Sequence, residues 1–260
     1  MNNPTLYIFG DSFSVPSATL NNGNWMEWQW SVLLSTKLKM TLSTEAVFGS
    51  SNSWILSKLS KRLDSYNPGD KIIVQTTQYH RFWFFKDKPY VSNVHHVIED
   101  LNEIKSLTKD EQLSLNLYYK HMQQDDLDLL RRETEFSYLN NIKWLLGKRG
   151  VELFILPGFD HPQIIPLAGP KILGTLQTIS YGEFVDNNSG KKWYAQLNTP
   201  DQRLNHMCKD NHAILADRLY KHIKHKDTLN LADEYSSGFL SIATQDPKQL
   251  NPESIRTVCN

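Results

Sequence analysis

The sequence predicts an α/β fold, a three-layer α/β/α sandwich around a central parallel sheet. Three observations predict it. From Thr5 to Thr76 short apolar runs alternate with helical stripes in the order β-α-β-α-β, the pattern of parallel strands joined by crossover helices. A further strand-like run, Val151 to Leu156, lies downstream and ends at Pro157-Gly158. The length of 260 residues fits one large α/β domain or two small ones and allows a substantial core.

Each element has its own signal. Thr5 to Phe9 is the first strand, and residues 15–24, rich in Pro, Ser, Asn and Gly, form a loop. A helix is expected from Trp25 to Leu38, with Trp30, Leu33, Leu34 and Leu38 on one face. Leu42 to Phe48 is the second strand and Gly49-Ser50-Ser51-Asn52 a turn. Trp54, Ile55, Leu59 and Leu63 make a helical stripe up to Tyr66, which Asn67-Pro68-Gly69-Asp70 terminates. Lys71 to Thr76 is the third strand. An irregular insertion follows from Gln78 to Ser106. A long or broken helical stretch then runs from Lys109 to Leu146, opened by Thr108 with Glu111 three residues later as a capping box. Residues 158–200 show no clear period, and a segment of that length usually carries function or an inserted subdomain. His212 to Ile223 is the last helix, with Ile214, Leu215, Leu219 and Ile223 inward, and the tail from Lys226 is polar. The expected organisation is one domain over residues 1–225 with insertions at 78–150 and 158–200, and an extension over 226–260.

Composition narrows the function classes. Twenty-eight basic and 28 acidic residues leave no net charge, so no basic excess points to nucleic acid. Cys208 and Cys259 form no C-x-x-C pair, which argues against a disulfide scaffold or a zinc site. The start Met1-Asn2-Asn3-Pro4 shows no signal-peptide pattern, and no apolar run approaches the length of a membrane span. A cytoplasmic protein is expected, and association with a virion is compatible with the sequence. Aromatic clusters at Trp25–Trp30 and Tyr79–Phe85 read either as core or as the wall of a substrate cleft.

The chemistry concentrates at strand ends. Gly10-Asp11-Ser12-Phe13-Ser14 follows the apolar run Leu6-Tyr7-Ile8-Phe9, a position that presents a serine hydroxyl at the carboxyl edge of a sheet. The glycine is expected to permit a sharp turn. The same five residues also read as an ordinary strand-to-loop turn. Ser12 needs a base. Of nine histidines, His206, just before the last helix, is the first candidate, with His212 and His161 as rivals. His95, His96, His222 and His225 stand in polar surroundings and read as surface.

With these blocks the chain resembles the SGNH hydrolases, the GDSL-type serine esterases and acylhydrolases of flavodoxin-like fold. Gly10-Asp11-Ser12 matches the family's first block, and Gly49 in Phe48-Gly49-Ser50-Ser51-Asn52 matches the glycine whose amide serves the oxyanion hole. Counting back from Leu215-Ala216 puts the family's histidine at His206 rather than His212. The resemblance covers residues 5–76, 151–157 and 200–223. The pattern Gly-Asp-Ser-Phe-Ser with Thr77-x-x-x-Arg81 and Asn205-His206-Met207 is similar to divergent members found in tailed bacteriophages.

Two positions depart from the family. Thr77 stands where the third block has its oxyanion asparagine, and a threonine hydroxyl donates a single, shorter-reaching bond. Arg203 stands where the triad aspartate would be, so Asp201 or a backbone carbonyl is left to orient His206. The resemblance therefore implies an esterase with Ser12 as nucleophile, His206 as base and Asp201 as its orienting acid. The oxyanion donors would be Ser12, Gly49, Thr77 and Asn52, and Arg81 and Asp11 would contact substrate. No cofactor is needed. Asp11 also reads as a holder of the turn, Asn52 as the cap of the second helix, and Arg81 as a partner for a carboxylate of the insertion. A small acyl ester on a carbohydrate is the first substrate class and a lipid or thioester the second. The competing class is a glycan- or protein-binding module on the same scaffold.

Overall fold

The computed structural model describes residues 3–16, 27–47, 49–78, 81–82, 92–93, 108–122, 125–159, 164–176, 182–185, 192–195, 207, 209–231 and 255–257. These fall into two compact units, one of residues 1–15 with 43–155 and one of residues 16–42 with 156–260. The fold is α/β with a parallel central sheet, as the alternation of elements predicts.

The first unit carries the sheet. Its strands are β1 (Thr5–Phe9), β2 (Thr41–Thr44, which straddles the boundary of the two units), β3 (Lys71–Gln75) and β6 (Glu152–Leu156), in the order β2-β1-β3-β6. β1 and β3 run parallel, with Leu6 opposite Lys71 and Phe9 opposite Val74. Leu6, Ile8, Ile72, Ile73 and Ile155 have almost no exposed surface, as expected of strands buried on both faces. β2 ends four residues before the predicted 42–48 does, and the Thr44 hydroxyl takes the Ala46 amide at 3.3 Å. The backbone nevertheless stays beside β1: Glu45 N donates to Ile8 O at 2.8 Å and Val47 N to Gly10 O at 3.1 Å.

Helix α2 (Asn52–Lys61) buries Trp54, Ile55, Leu56 and Leu59, and packs on β1 and on a later helix over Asp125–Lys148. It stops at Lys61, and Leu63 falls in a short 3-10 turn rather than in the helix. The expected helical stretch after residue 108 is two helices, α3 (Lys109–Met122) and α4 (Asp125–Lys148). The capping box is present: Thr108 N donates to Glu111 Oε2 at 2.8 Å, and Glu111 N to Thr108 Oγ1 at 3.2 Å. Within the insertion expected to be irregular, β4 (Arg81–Phe82) and β5 (Ser92–Asn93) pair antiparallel, Arg81 opposite Asn93.

The second unit holds α1 (Trp30–Leu38) and α6 (Lys209–His225), which pack on each other. α1 starts five residues later than predicted. Gln29 is extended (φ −70°, ψ 140°) and its side chain accepts the Ser31 amide at 2.7 Å, so it caps the helix; residues 25 and 26 lie outside the described residues. Leu215, Leu219 and Ile223 of α6 are buried as expected, whereas Ile214 is half-buried. The segment 158–200, without a legible period, contributes α5 (Ile164–Ala168), β7 (Ile172–Leu173), β8 (Gly182–Val185) and β9 (Lys192–Ala195). β8 and β9 form an antiparallel sheet with β11 (Ile255–Thr257). The polar tail also yields β10 (Leu229–Asn230), which pairs parallel with β7 and places Leu229 and Leu231 in the core. Among the described residues no helix is long and apolar enough to cross a membrane.

Candidate active site

The loops after β1, β2 and β3 form one hydrogen-bonded network within the first unit. Its centre is the turn Asp11-Ser12-Phe13-Ser14, closed by Ser14 N donating to Asp11 O at 2.9 Å. From Ile8 to Pro16 every residue is buried except Ser12, which is part-exposed. The fold thus puts a single hydroxyl-bearing side chain at the surface of an otherwise closed segment.

Gln75, the last residue of β3, is the platform of this turn. Its Oε1 accepts from Asp11 N and from Ser14 Oγ, both at 2.9 Å, and its Nε2 donates to Thr76 O at 2.7 Å. This corrects the expected role of Gly10. Its φ is not positive, so no left-handed turn requires it. A Cβ there would lie 2.5 Å from Gln75 Oε1 and 2.9 Å from Ser14 Oγ, so the requirement is close approach. Gln75 had no assigned role in the sequence reading. Its signal was a polar side chain ending the apolar run Ile72-Ile73-Val74.

The loop after β2 meets the turn at Gly10, whose carbonyl accepts from Ser50 Oγ at 2.8 Å as well as from Val47 N. Gly49 has φ 67°, where a side chain would be strained. Ser51, not Asn52, caps α2: its Oγ accepts the Trp54 amide at 3.3 Å. Asn52 opens the helix instead and reaches to the loop after β3. Its Oδ1 accepts Thr77 N at 2.9 Å and its Nδ2 donates to Thr77 O at 3.2 Å.

Asp11 is fully buried. Its Oδ1 accepts Phe13 N at 3.0 Å, and its Oδ2 accepts Thr77 Oγ1 and Arg81 Nη1, each at 2.7 Å. Arg81 Nη1 also donates to Thr77 Oγ1 at 2.6 Å, and Nε to Gln78 Oε1 at 3.1 Å. Two expectations change. Asp11 has no surface to offer a substrate and is a holder of the turn. The Thr77 hydroxyl proton points to Asp11, so that hydroxyl is not turned toward an oxyanion. Arg81 forms an ion pair with Asp11 at 2.7 Å.

His206 and Asp201 lie outside the described residues, as does His161. His212, the rival base, belongs to the second unit and is 1% exposed. Its Nδ1 accepts the Trp30 amide at 3.3 Å, and Trp28 packs on the ring edge at 5.1 Å. It is a core histidine that helps to fix the start of α1.

No family model matches the chain, and no curated protein matches it. Several solved structures resemble it. A Desulfitobacterium hafniense DCB-2 protein described as lipolytic and of the G-D-S-L family is 10% identical, with 84% of this chain and 99% of that one covered and a TM-score of 0.43. TesA is 13% identical over 63% of this chain and 68% of that one, with a TM-score of 0.32. The Bacillus subtilis protein YXIM is 15% identical, with 60% of this chain covered and a TM-score of 0.32; this chain spans a third (33%) of its length. At these scores the likenesses are weak, and a functional reading rests on the chain's own residues.

Proposed function

We propose that the chain is a serine esterase with Ser12 as its nucleophile. The observation that carries this reading is the presentation of Ser12: one part-exposed hydroxyl on a buried turn whose flanking amides are pinned by Gln75 and Asp11. Rigid presentation of that kind lowers the entropic cost of attack.

In the proposed mechanism Ser12 Oγ attacks an ester carbonyl carbon while His206 accepts the hydroxyl proton. Asp201 orients the imidazole. The amides of Ser12 and Gly49 and the Asn52 carboxamide receive the oxyanion. Asn52 takes the share expected of Thr77, since one Nδ2 proton holds Thr77 O and the other remains to donate. Collapse of the tetrahedral intermediate breaks the carbonyl–oxygen bond, and His206 returns its proton to the departing alcohol. Water, activated by His206, then releases the acid. A small acyl ester on a carbohydrate is the proposed substrate class, with lipid esters and thioesters as the next.

The second reading is a binding module on the same scaffold. It is favoured by the Thr77 hydroxyl, which bonds Asp11 where the family has an oxyanion donor.

Intact mass after incubation with a fluorophosphonate separates the two. One adduct on the wild type, absent from Ser12→Ala and His206→Ala, is the expected result. No adduct on folded wild type would overturn the esterase reading.

A further inference from the structure

We infer that Arg81 is a positioning residue that acts on Ser12 through the buried carboxylate of Asp11. The inference rests on Ser12 being the nucleophile.

Asp11 has no exposed surface and Arg81 only 15% of its side chain exposed, so their ion pair is shielded from solvent. A carboxylate in such a place is costly unless it is paired and fully hydrogen-bonded. Here it is: Phe13 N occupies one oxygen, and Thr77 Oγ1 with Arg81 Nη1 the other. The first of these bonds fixes the peptide that joins Ser12 to Phe13, and with it the direction of the Ser12 side chain. The guanidinium does not act as a point charge alone. Nη1 reaches both Asp11 and Thr77, and Nε is held by Gln78, so the fork is oriented before it meets the carboxylate.

The chain position of Arg81 gives this arrangement its meaning. Arg81 is the first residue of β4, whose backbone is fixed in a ladder opposite Asn93 of β5. The side chain of Arg81 thus ties the insertion after β3 to the turn after β1. Gln75, Thr77 and Arg81 all bond the turn, and among the described residues Arg81 is the cation that pairs with Asp11.

The test uses the full chain and the kinetics of fluorophosphonate modification, resolved into the limiting rate and the half-saturating probe concentration. Arg81→Met is expected to lower the limiting rate by about 100-fold, the scale of an ångström-sized misplacement, with half-saturation unchanged. Arg81→Lys should recover part of the rate. In an Asp11→Asn background Arg81→Met should cost little more, because Arg81 has lost the group it acts through. Amide hydrogen exchange in Arg81→Met should quicken at Phe13 and Ser14 while β1 stays protected. An unchanged limiting rate, a shift in half-saturation alone, or a full additional loss in the double variant would overturn the inference. An unlabelled wild type would instead overturn the nucleophile reading, and exchange at Phe13 and Ser14 in Arg81→Met and Arg81→Lys would then decide the role of Arg81 by itself.

Discussion

At Gly10 and Gly49 the same residue type is required for different reasons, and only one of them is visible in a sequence. Gly49 sits at φ 67°, the kind of turn geometry that a glycine after a strand suggests. Gly10 sits where Gln75 and Ser14 leave no room for a methyl group. Gly10→Ala is therefore expected to destabilise the fold by about 1–3 kcal/mol, the range for overpacking, and to displace Gln75 from the Asp11 amide. Urea unfolding measures the first effect, and the rate of fluorophosphonate modification the second. A stability equal to wild type would contradict this account of Gly10. Ser12, Asp11 and Thr77 were legible as a group because each follows a strand end. The holding role of Asp11 was one of its two readings, but its partners were not legible, since Thr77 and Arg81 lie 66 and 70 residues away along the chain.

Among elements, helix signals transferred best where they are local. The Thr108–Glu111 box was readable from two residues and is formed. Helix pairing was less legible, and α2 with α4 shows why. Ser53 Oγ donates to Glu135 Oε1 across the two helices, a bond that no periodicity announces, and the same oxygen takes Arg131 Nη1 of its own helix at 3.1 Å. Glu135 lines a cleft of about 420 Å³ with Ser53, Ser57, Ser60, Thr134 and Tyr138. Burial pushes the Glu135 carboxyl above its ordinary range, against the pull of Arg131 and the Ser53 bond. The folded value lies above the unfolded one, so the folded state binds the proton more tightly. The resulting stabilisation is complete below the unfolded value and is lost as pH rises through the folded value. Glu135→Gln should remove this component. The stability of the variant relative to wild type should rise with pH above about 4.3, the ordinary glutamate value. Urea unfolding at a series of pH values checks it, and a flat difference would show that Glu135 does not titrate abnormally.

At the scale of the whole molecule, the sheet was the most legible part. Apolar runs and their spacing suffice for β1, β3 and β6, because strands buried on both faces are near-continuously apolar, whereas the edge strand β2, Thr-Leu-Ser-Thr with no buried residue, follows from the alternation of elements. The segments 158–200 and 226–260 were opaque because their strands are two to four residues long, too short for any period. The sequence draws a border after residue 225, where apolar character fades. In the fold that border is crossed: Leu229 N donates to Lys171 O at 2.7 Å and Leu231 N to Leu173 O at 2.6 Å, with Arg218 Nη1 on Asn230 O at 2.6 Å. A gene truncated after codon 225 would therefore strip Ile172 of its strand neighbour and open the core at Leu229 and Leu231. Its product is expected to enter inclusion bodies or to melt well below the full chain, whereas one ending after codon 231 keeps these six residues. Equal soluble yield and equal melting temperature for the two products would show that the short strand is dispensable. For anyone trimming the chain for crystals or expression, the buried leucines of β10 and its flank mark a limit that the hydropathy plot, falling away after residue 225, does not.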